Sequence, residues 1–159
     1  MLTERAPAPD FALPADDGSI ITLASLRGRP AVIYFYPKNN TPVCTKEACG
    51  FRDAFLQFSD ANATILGVSP DSVASHVKFK RKYQLPFTLL SDKDHRMAEV
   101  YGVWTKKSLF GVTYMGVKRT TFLLDKDGVI VKVFSKIKPT QHAGEVEAAL
   151  QTYCRPLSG

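Results

Sequence analysis

Continuous apolar runs and spaced apolar stripes alternate along this chain, and they predict strands alternating with helices. "AVIYFYP" (Ala31–Pro37) is apolar at nearly every position, as in a strand covered on both faces. "ATILGVSP" (Ala63–Pro70) and "FTLLSD" (Phe87–Asp92) read the same way. "SIITLASL" (Ser19–Leu26) follows the turn residues "DDG" and predicts a short strand. "TTFLLDKDGVIVKVFSK" carries apolar arms on either side of Lys126-Asp127-Gly128, a hairpin signal. Between the runs, Pro42–Ser59 sets Phe51, Phe55 and Phe58 at helical spacing. Asp71–Tyr83, His95–Tyr101 and Gln141–Tyr153 predict three more helices, the last with Val146, Ala149 and Leu150 as its stripe. The order is strand, β-α-β-α-β, hairpin and closing helix. That order predicts an α/β sheet with antiparallel strands added by the hairpin. No repeat, linker or low-complexity stretch interrupts it, so residues 1–159 read as a single domain.

Composition narrows the function classes. At 45% hydrophobic over 159 residues, the chain can bury a full core. No apolar run approaches the roughly 18 residues that a spanning helix requires. The opening "MLTERAPAPDFALPADDG" lacks a basic head followed by an apolar stretch, so the expectation is a cytoplasmic protein with reduced thiols. Three cysteines make an odd set, which favours reactive chemistry over structural bridging. The net charge is +6, and its densest run is "KFKRKY" (Lys78–Tyr83). No nucleic-acid-binding motif accompanies that run, so it reads as a solvated helix face. His76, His95 and His142 are scattered in sequence; a metal site or a Cys–His hydrolase would need them to converge in space. Trp104 and Phe110 flank a Gly-containing loop and read as core residues rather than pocket lining.

The stretch "NNTPVCTKEACG" (Asn39–Gly50) carries the chemistry. Thr41 suits an N-cap and Pro42 the first helical position, which puts Cys44 in the first turn. There, unpaired backbone N–H groups and the positive end of the helix dipole favour a thiolate, the nucleophilic form. Cys49 follows five residues later, an axial rise of about 7.5 Å. Disulfides need Cα atoms within roughly 4.4–6.8 Å. The two thiols therefore either never pair or pair only when the helix start unwinds. Four intervening residues also separate this pattern from the Cys-x-x-Cys of disulfide oxidoreductases. A redox sensor or holdase working through the basic surface is the non-enzymatic alternative.

"PKNNTPVCTKEACGFRD" resembles the active-site segment of peroxiredoxins, whose pattern Pro-x-x-x-Thr-x-x-Cys falls here on Pro37, Thr41 and Cys44. A second cysteine five positions on resembles the Q-type group, also called bacterioferritin comigratory proteins. "APDFALPADDG", "GVSPDS", "LLSD", "YGV" and "GVKRTTFLLDKDG" extend the likeness over almost the whole chain. The resemblance implies a thioredoxin-like fold, with a central mixed sheet flanked by helices and an N-terminal β extension. It implies a peroxidase of hydrogen peroxide and organic hydroperoxides that needs no cofactor and no metal. Cys44 would be the peroxidatic nucleophile and Cys49 the resolving thiol, with thioredoxin or another dithiol as reductant. Arg119 would complete the site by favouring thiolate and binding peroxide. The Thr41 hydroxyl would face thiolate and peroxide, a role that competes with capping the helix. Pro37 would shape the loop and shield the thiolate. Glu47, one turn after Cys44, fits a surface or dipole role as well as a catalytic one. Val43 departs from the group's usual Gly. Cys154 has no counterpart and reads as a bystander. The implied molecule is a monomer with no nucleic-acid or membrane partner.

Overall fold

The computed structural model describes residues 2–154. Its centre is a five-stranded sheet built from β3 (Ala31–Phe35), β4 (Thr64–Ser69), β5 (Thr88–Ser91), β8 (Thr120–Leu124) and β9 (Ile130–Phe134). Across the sheet the order is β5-β4-β3-β8-β9. The first three strands run parallel, while β8 and β9 add antiparallel pairings. Two antiparallel ribbons stand outside it: β1 (Ala12–Pro14) with β2 (Ile20–Thr22), and β6 (Trp104–Leu109) with β7 (Val112–Val117). The helices are α1 (Pro42–Asp53), α2 (Phe55–Asp60), α3 (Val73–Tyr83), α4 (Arg96–Val100) and α5 (His142–Tyr153). This is a mixed α/β architecture with an N-terminal β extension.

Every residue of β3 is buried because both of its faces are covered. Val32 and Tyr34 point into a cluster with Ala48 and Phe51 of α1, Phe58 of α2, Phe79 of α3 and Val146 and Leu150 of α5. Ala31, Ile33 and Phe35 point the other way, toward Met97 and Ala98 of α4, Leu23, Leu26 and Tyr101. This two-residue alternation between cores is why the run reads as uninterrupted hydrophobicity. Helix α3 begins where the Ser72 hydroxyl accepts the Ser75 N–H at 3.1 Å, an N-cap that satisfies an orphan donor. It ends at Gln84 in the left-handed conformation, φ 52°.

The structure corrects several expectations. The strand predicted over Ser19–Leu26 stops at Thr22, and Ala24–Leu26 forms a 3-10 turn. The cause is local: Thr22 and Ser25 exchange side-chain and backbone hydrogen bonds at 2.6–3.2 Å, which favours a turn over a ladder. The helix predicted over Pro42–Ser59 breaks at Ala54, φ −95° and ψ 6°. Phe51 and Phe58 still reach the same core from either side of the break. The loop expected between Trp104 and Phe110 is instead a hairpin, β6–β7. Phe110 does not join the core; it is 96% exposed at the hairpin tip. Of the basic run, Lys80 pairs with Asp16 at 2.8 Å, whereas Lys78, Arg81 and Lys82 are exposed.

Candidate active site

Neighbouring strands deliver the two halves of the site. The chain leaves β3 at Phe35 and enters α1 seven residues later; β8 begins at Thr120, paired with Phe35. Arg119 therefore sits at the sheet edge where the chain turns toward Cys44, although 75 residues separate the two. In α1 the first helical bond runs from the Thr45 N–H to the Thr41 carbonyl at 2.8 Å. The Val43 and Cys44 amides thus precede the ladder and lie at the positive end of the dipole. Cys44 and Glu47 are three residues apart on one helix face, and that face is buried: Cys44 is 2% and Glu47 1% exposed.

Arg119 joins them. Its Nη2 donates to Cys44 Sγ at 3.1 Å, and its Nη1 to Glu47 Oε1 at 2.7 Å. A planar guanidinium can hold two acceptors in a fixed relation, so the thiol is fixed against a cation that is itself fixed by a buried carboxylate. Burial pushes the Glu47 carboxyl up to about 7, against the opposing charge and hydrogen bond of Arg119. Burial disfavours the Arg119 cation, but Glu47 and Cys44 outweigh it and its pKa rises. Glu47 Oε2 makes no hydrogen bond and lies 3.9 Å from His142 Nε2. That imidazole, at the start of α5, bonds Thr121 Oγ1 at 2.7 Å and is flanked edge-on by Phe51 and Phe134. Burial, reinforced by Arg119, pushes its pKa down to about 4, so His142 is neutral at physiological pH.

A second network sets the loop before α1. Tyr36 donates its hydroxyl to Asn39 Oδ1 at 2.6 Å, and the Asn39 N–H donates to Asp71 Oδ2 at 2.8 Å. Asn39 Nδ2 donates to His76 Nδ1 at 2.9 Å, while His76 Nε2 donates to the Leu90 carbonyl at 2.9 Å. A carbonyl can only accept, so the Nε2 tautomer is the one that completes both bonds. Burial holds the His76 pKa low, which suits that neutral form.

The geometry treats the sequence candidates unequally. Cys44, Arg119 and Glu47 converge, and Glu47 is interior rather than a surface or dipole residue. The Thr41 hydroxyl neither caps α1 nor reaches the sulfur; it donates to the Lys38 carbonyl at 3.0 Å. Thr41 instead contributes its backbone, extended at φ −94°. Pro37 is half-buried just beyond β3. Val43 is 44% exposed. Cys49 is half-buried on α1 and, like Cys44 and Cys154, is a free thiol. Cys154 stands apart at the end of α5, its thiol pushed up to about 11 by burial and by the Asp125 charge. The sequence offered His142 only as one of three scattered histidines and Asn39 only as the start of the cysteine stretch. The packing of α5 brings His142 to Glu47, and that of α3 sets His76 against Asn39. Among the described residues, no group of three His, Cys, Asp or Glu side chains stands together to hold a metal.

A buried cysteine at a helix start, bonded by an arginine at the head of the neighbouring strand, stands beside what the comparisons with known proteins found. The AhpC/TSA family model matches residues 5–133. The chain belongs to the AhpC/TSA family. It is 53% identical over 143 residues to a Bcp-type peroxiredoxin of Coxiella burnetii, covering 90% of this chain and 95% of that one. A peroxiredoxin Q variant of Xanthomonas campestris superimposes with a TM-score of 0.87 at 40% identity, covering 91% of this chain and 92% of that one. The bacterioferritin comigratory protein of the same organism, studied for alkyl peroxide reduction, superimposes at 0.86 with 39% identity over 90% and 91% of the two chains. This Q-type peroxiredoxin is a thiol-dependent peroxidase with a thioredoxin-like fold.

Proposed function

We propose that Cys44 is the peroxidatic nucleophile and Cys49 the resolving thiol of this peroxidase. The Cys44 thiolate attacks the terminal oxygen of a hydroperoxide; an S–O bond forms as the O–O bond breaks. The products are a sulfenic acid and an alkoxide or hydroxide, which takes up a proton to leave as alcohol or water. Cys49 then attacks the sulfenic sulfur and expels water, giving an intramolecular disulfide. A dithiol reductant, thioredoxin in the first instance, restores both thiols by exchange. The observation that carries this reading is the Arg119 fork, 3.1 Å from Cys44 Sγ and 2.7 Å from Glu47 Oε1. It supplies a fixed cation where negative charge develops on the departing oxygen. Pro37 and Thr41 shape the approach through the backbone. Reduction of alkyl as well as hydrogen peroxide, a monomeric unit spanning residues 1–159 and a cytoplasmic site of action complete the proposal. No helix among the described residues is long and apolar enough to cross a membrane.

The test is intact mass and peptide mapping of reduced protein after one equivalent of hydrogen peroxide. Loss of two hydrogens with a Cys44–Cys49 cross-link and a free Cys154 is expected. Cys49→Ser should stop at one added oxygen on Cys44, and Cys44→Ser should not react. A Cys49→Ser protein that cycles normally with thioredoxin would remove Cys49 from the mechanism.

A further inference from the structure

The β6–β7 hairpin is built against the usual rules for a hairpin in water. Its two-residue turn, Phe110-Gly111, has φ values of 51° and 78°. Positive φ at both central positions is the turn type that Asn-Gly or Asp-Gly fits best. A bulky Phe in the left-handed region is strained, and here its side chain gains no packing in return, since it is 96% exposed. Around it, Leu109 is 56%, Val112 65%, and Tyr114 and Met115 each 45% exposed. Leu109 pairs with Val112, Lys107 with Tyr114 and Lys106 with Met115. An apolar tip is thus backed by a basic rung. From Val100 to Leu124 the chain carries Lys106, Lys107, Lys118 and Arg119 and no acidic residue.

We infer that this hairpin docks the protein on an anionic lipid surface, with Phe110, Leu109 and Val112 entering the interface and Lys106, Lys107 and Lys118 meeting the headgroups. Charge selects this occupant. A flat anionic surface meets every lysine favourably, and aromatic and aliphatic tips are the groups that partition into the headgroup–acyl boundary. A symmetric contact with a second copy would instead bring the same lysines face to face. From the base of β7 at Val117 to the tip at Val112 is about 17 Å at 3.4 Å per residue. The tip can therefore enter the interface while the body stays outside it. The base of the ribbon adjoins the reactive centre: Val117, the last residue of β7, is two residues from Arg119, which bonds Cys44. The expectation of no membrane partner concerned a chain without a spanning run, and a surface anchor of this kind needs no such run.

The test is co-sedimentation of the full chain with vesicles of phosphatidylcholine alone and with added phosphatidylglycerol, without peroxide, so the result is independent of the Cys44 reading. Binding to the anionic vesicles only, weakened by salt, is expected. Phe110→Asn suits the turn better and should keep the fold, yet weaken vesicle binding at least tenfold with hydrogen peroxide turnover unchanged. Lys106→Gln should weaken it less. Equal binding by wild type and Phe110→Asn, or no binding to anionic vesicles, would overturn the inference. So would a lipid-free change in Phe110→Asn: a shift from dimer to monomer in sedimentation velocity, or slower reduction by thioredoxin. The first would mark the hairpin as a self-interface and the second as a reductant site.

Discussion

Glu47→Gln offers a direct measure of what the buried carboxylate costs. The side chain is fully buried, and burial raises its pKa from 4.5 to about 7. A raised acid binds its proton more tightly in the folded state. Its contribution to stability is therefore complete below 4.5 and is lost as pH rises from there through about 7. At about 1.36 kcal/mol per pH unit, the whole loss is about 3 kcal/mol, most of it between pH 5 and pH 8. Gln is close in shape, still accepts the Arg119 N–H, and does not titrate. Urea unfolding of both proteins under reducing conditions, across about pH 5 to 8, should show the stability of Gln relative to Glu increasing with pH by that amount. Parallel profiles, within about 0.5 kcal/mol of each other, would show that Arg119 keeps Glu47 ionised throughout and would refute burial as the dominant influence.

Arg119→Ala removes the hydrogen bond to Cys44 and leaves Glu47 without its cation. Single-turnover oxidation by hydrogen peroxide should slow by about 10²–10³, and an unchanged rate would reduce Arg119 to a structural role. Asn39→Ala strips side-chain partners from Tyr36, Ser75 and His76 at once, while the backbone N–H to Asp71 remains. A loss of about 2–3 kcal/mol in urea unfolding is expected, with slower peroxide consumption as the loop before α1 loosens; unchanged kinetics would separate that loop from catalysis. Gly67→Ala would place a Cβ 2.8 Å from the Tyr34 hydroxyl and 2.9 Å from Leu89 Cδ2, both in the packed interior. A loss of about 1–3 kcal/mol is expected, and a neutral result in thermal unfolding would mean that Tyr34 can withdraw.

What the sequence disclosed, and what it hid, follows from the range of the interactions. The strands Ala31–Phe35, Thr64–Ser69 and Thr120–Leu124 were legible because two covered faces leave each run uncharged and mostly apolar. The start of α1 was legible because Thr-Pro is a local signal. The break at Ala54 was not, since no Gly or Pro marks it and both flanking phenylalanines keep helical spacing. The β6–β7 ribbon was hidden by its own exposure: lysines, serine and glycine dilute the strand pattern, and Phe-Gly is not a hairpin signature. Within the site, Cys44 could be read from one dozen residues; Cys49, from the same dozen, stands half-buried on the same helix. The burial of Glu47 and the arrival of His142 depend on α5 closing over α1, a contact between segments almost a hundred residues apart that no local pattern encodes.

Glu47 stands between the two cysteines in the chain. On the proposed cycle, the turn that must open to bring Cys49 to Cys44 is the one that carries Glu47 to Arg119. The same carboxylate thus acts as an interlock: while it is seated the site is competent to attack and cannot close on itself, and once it is withdrawn the reverse holds. Burial disfavours the ionised carboxylate, so on that cycle the seated pair holds α1 closed less firmly as pH rises through its raised pKa, and the helix start opens more readily for Cys49 to reach Cys44.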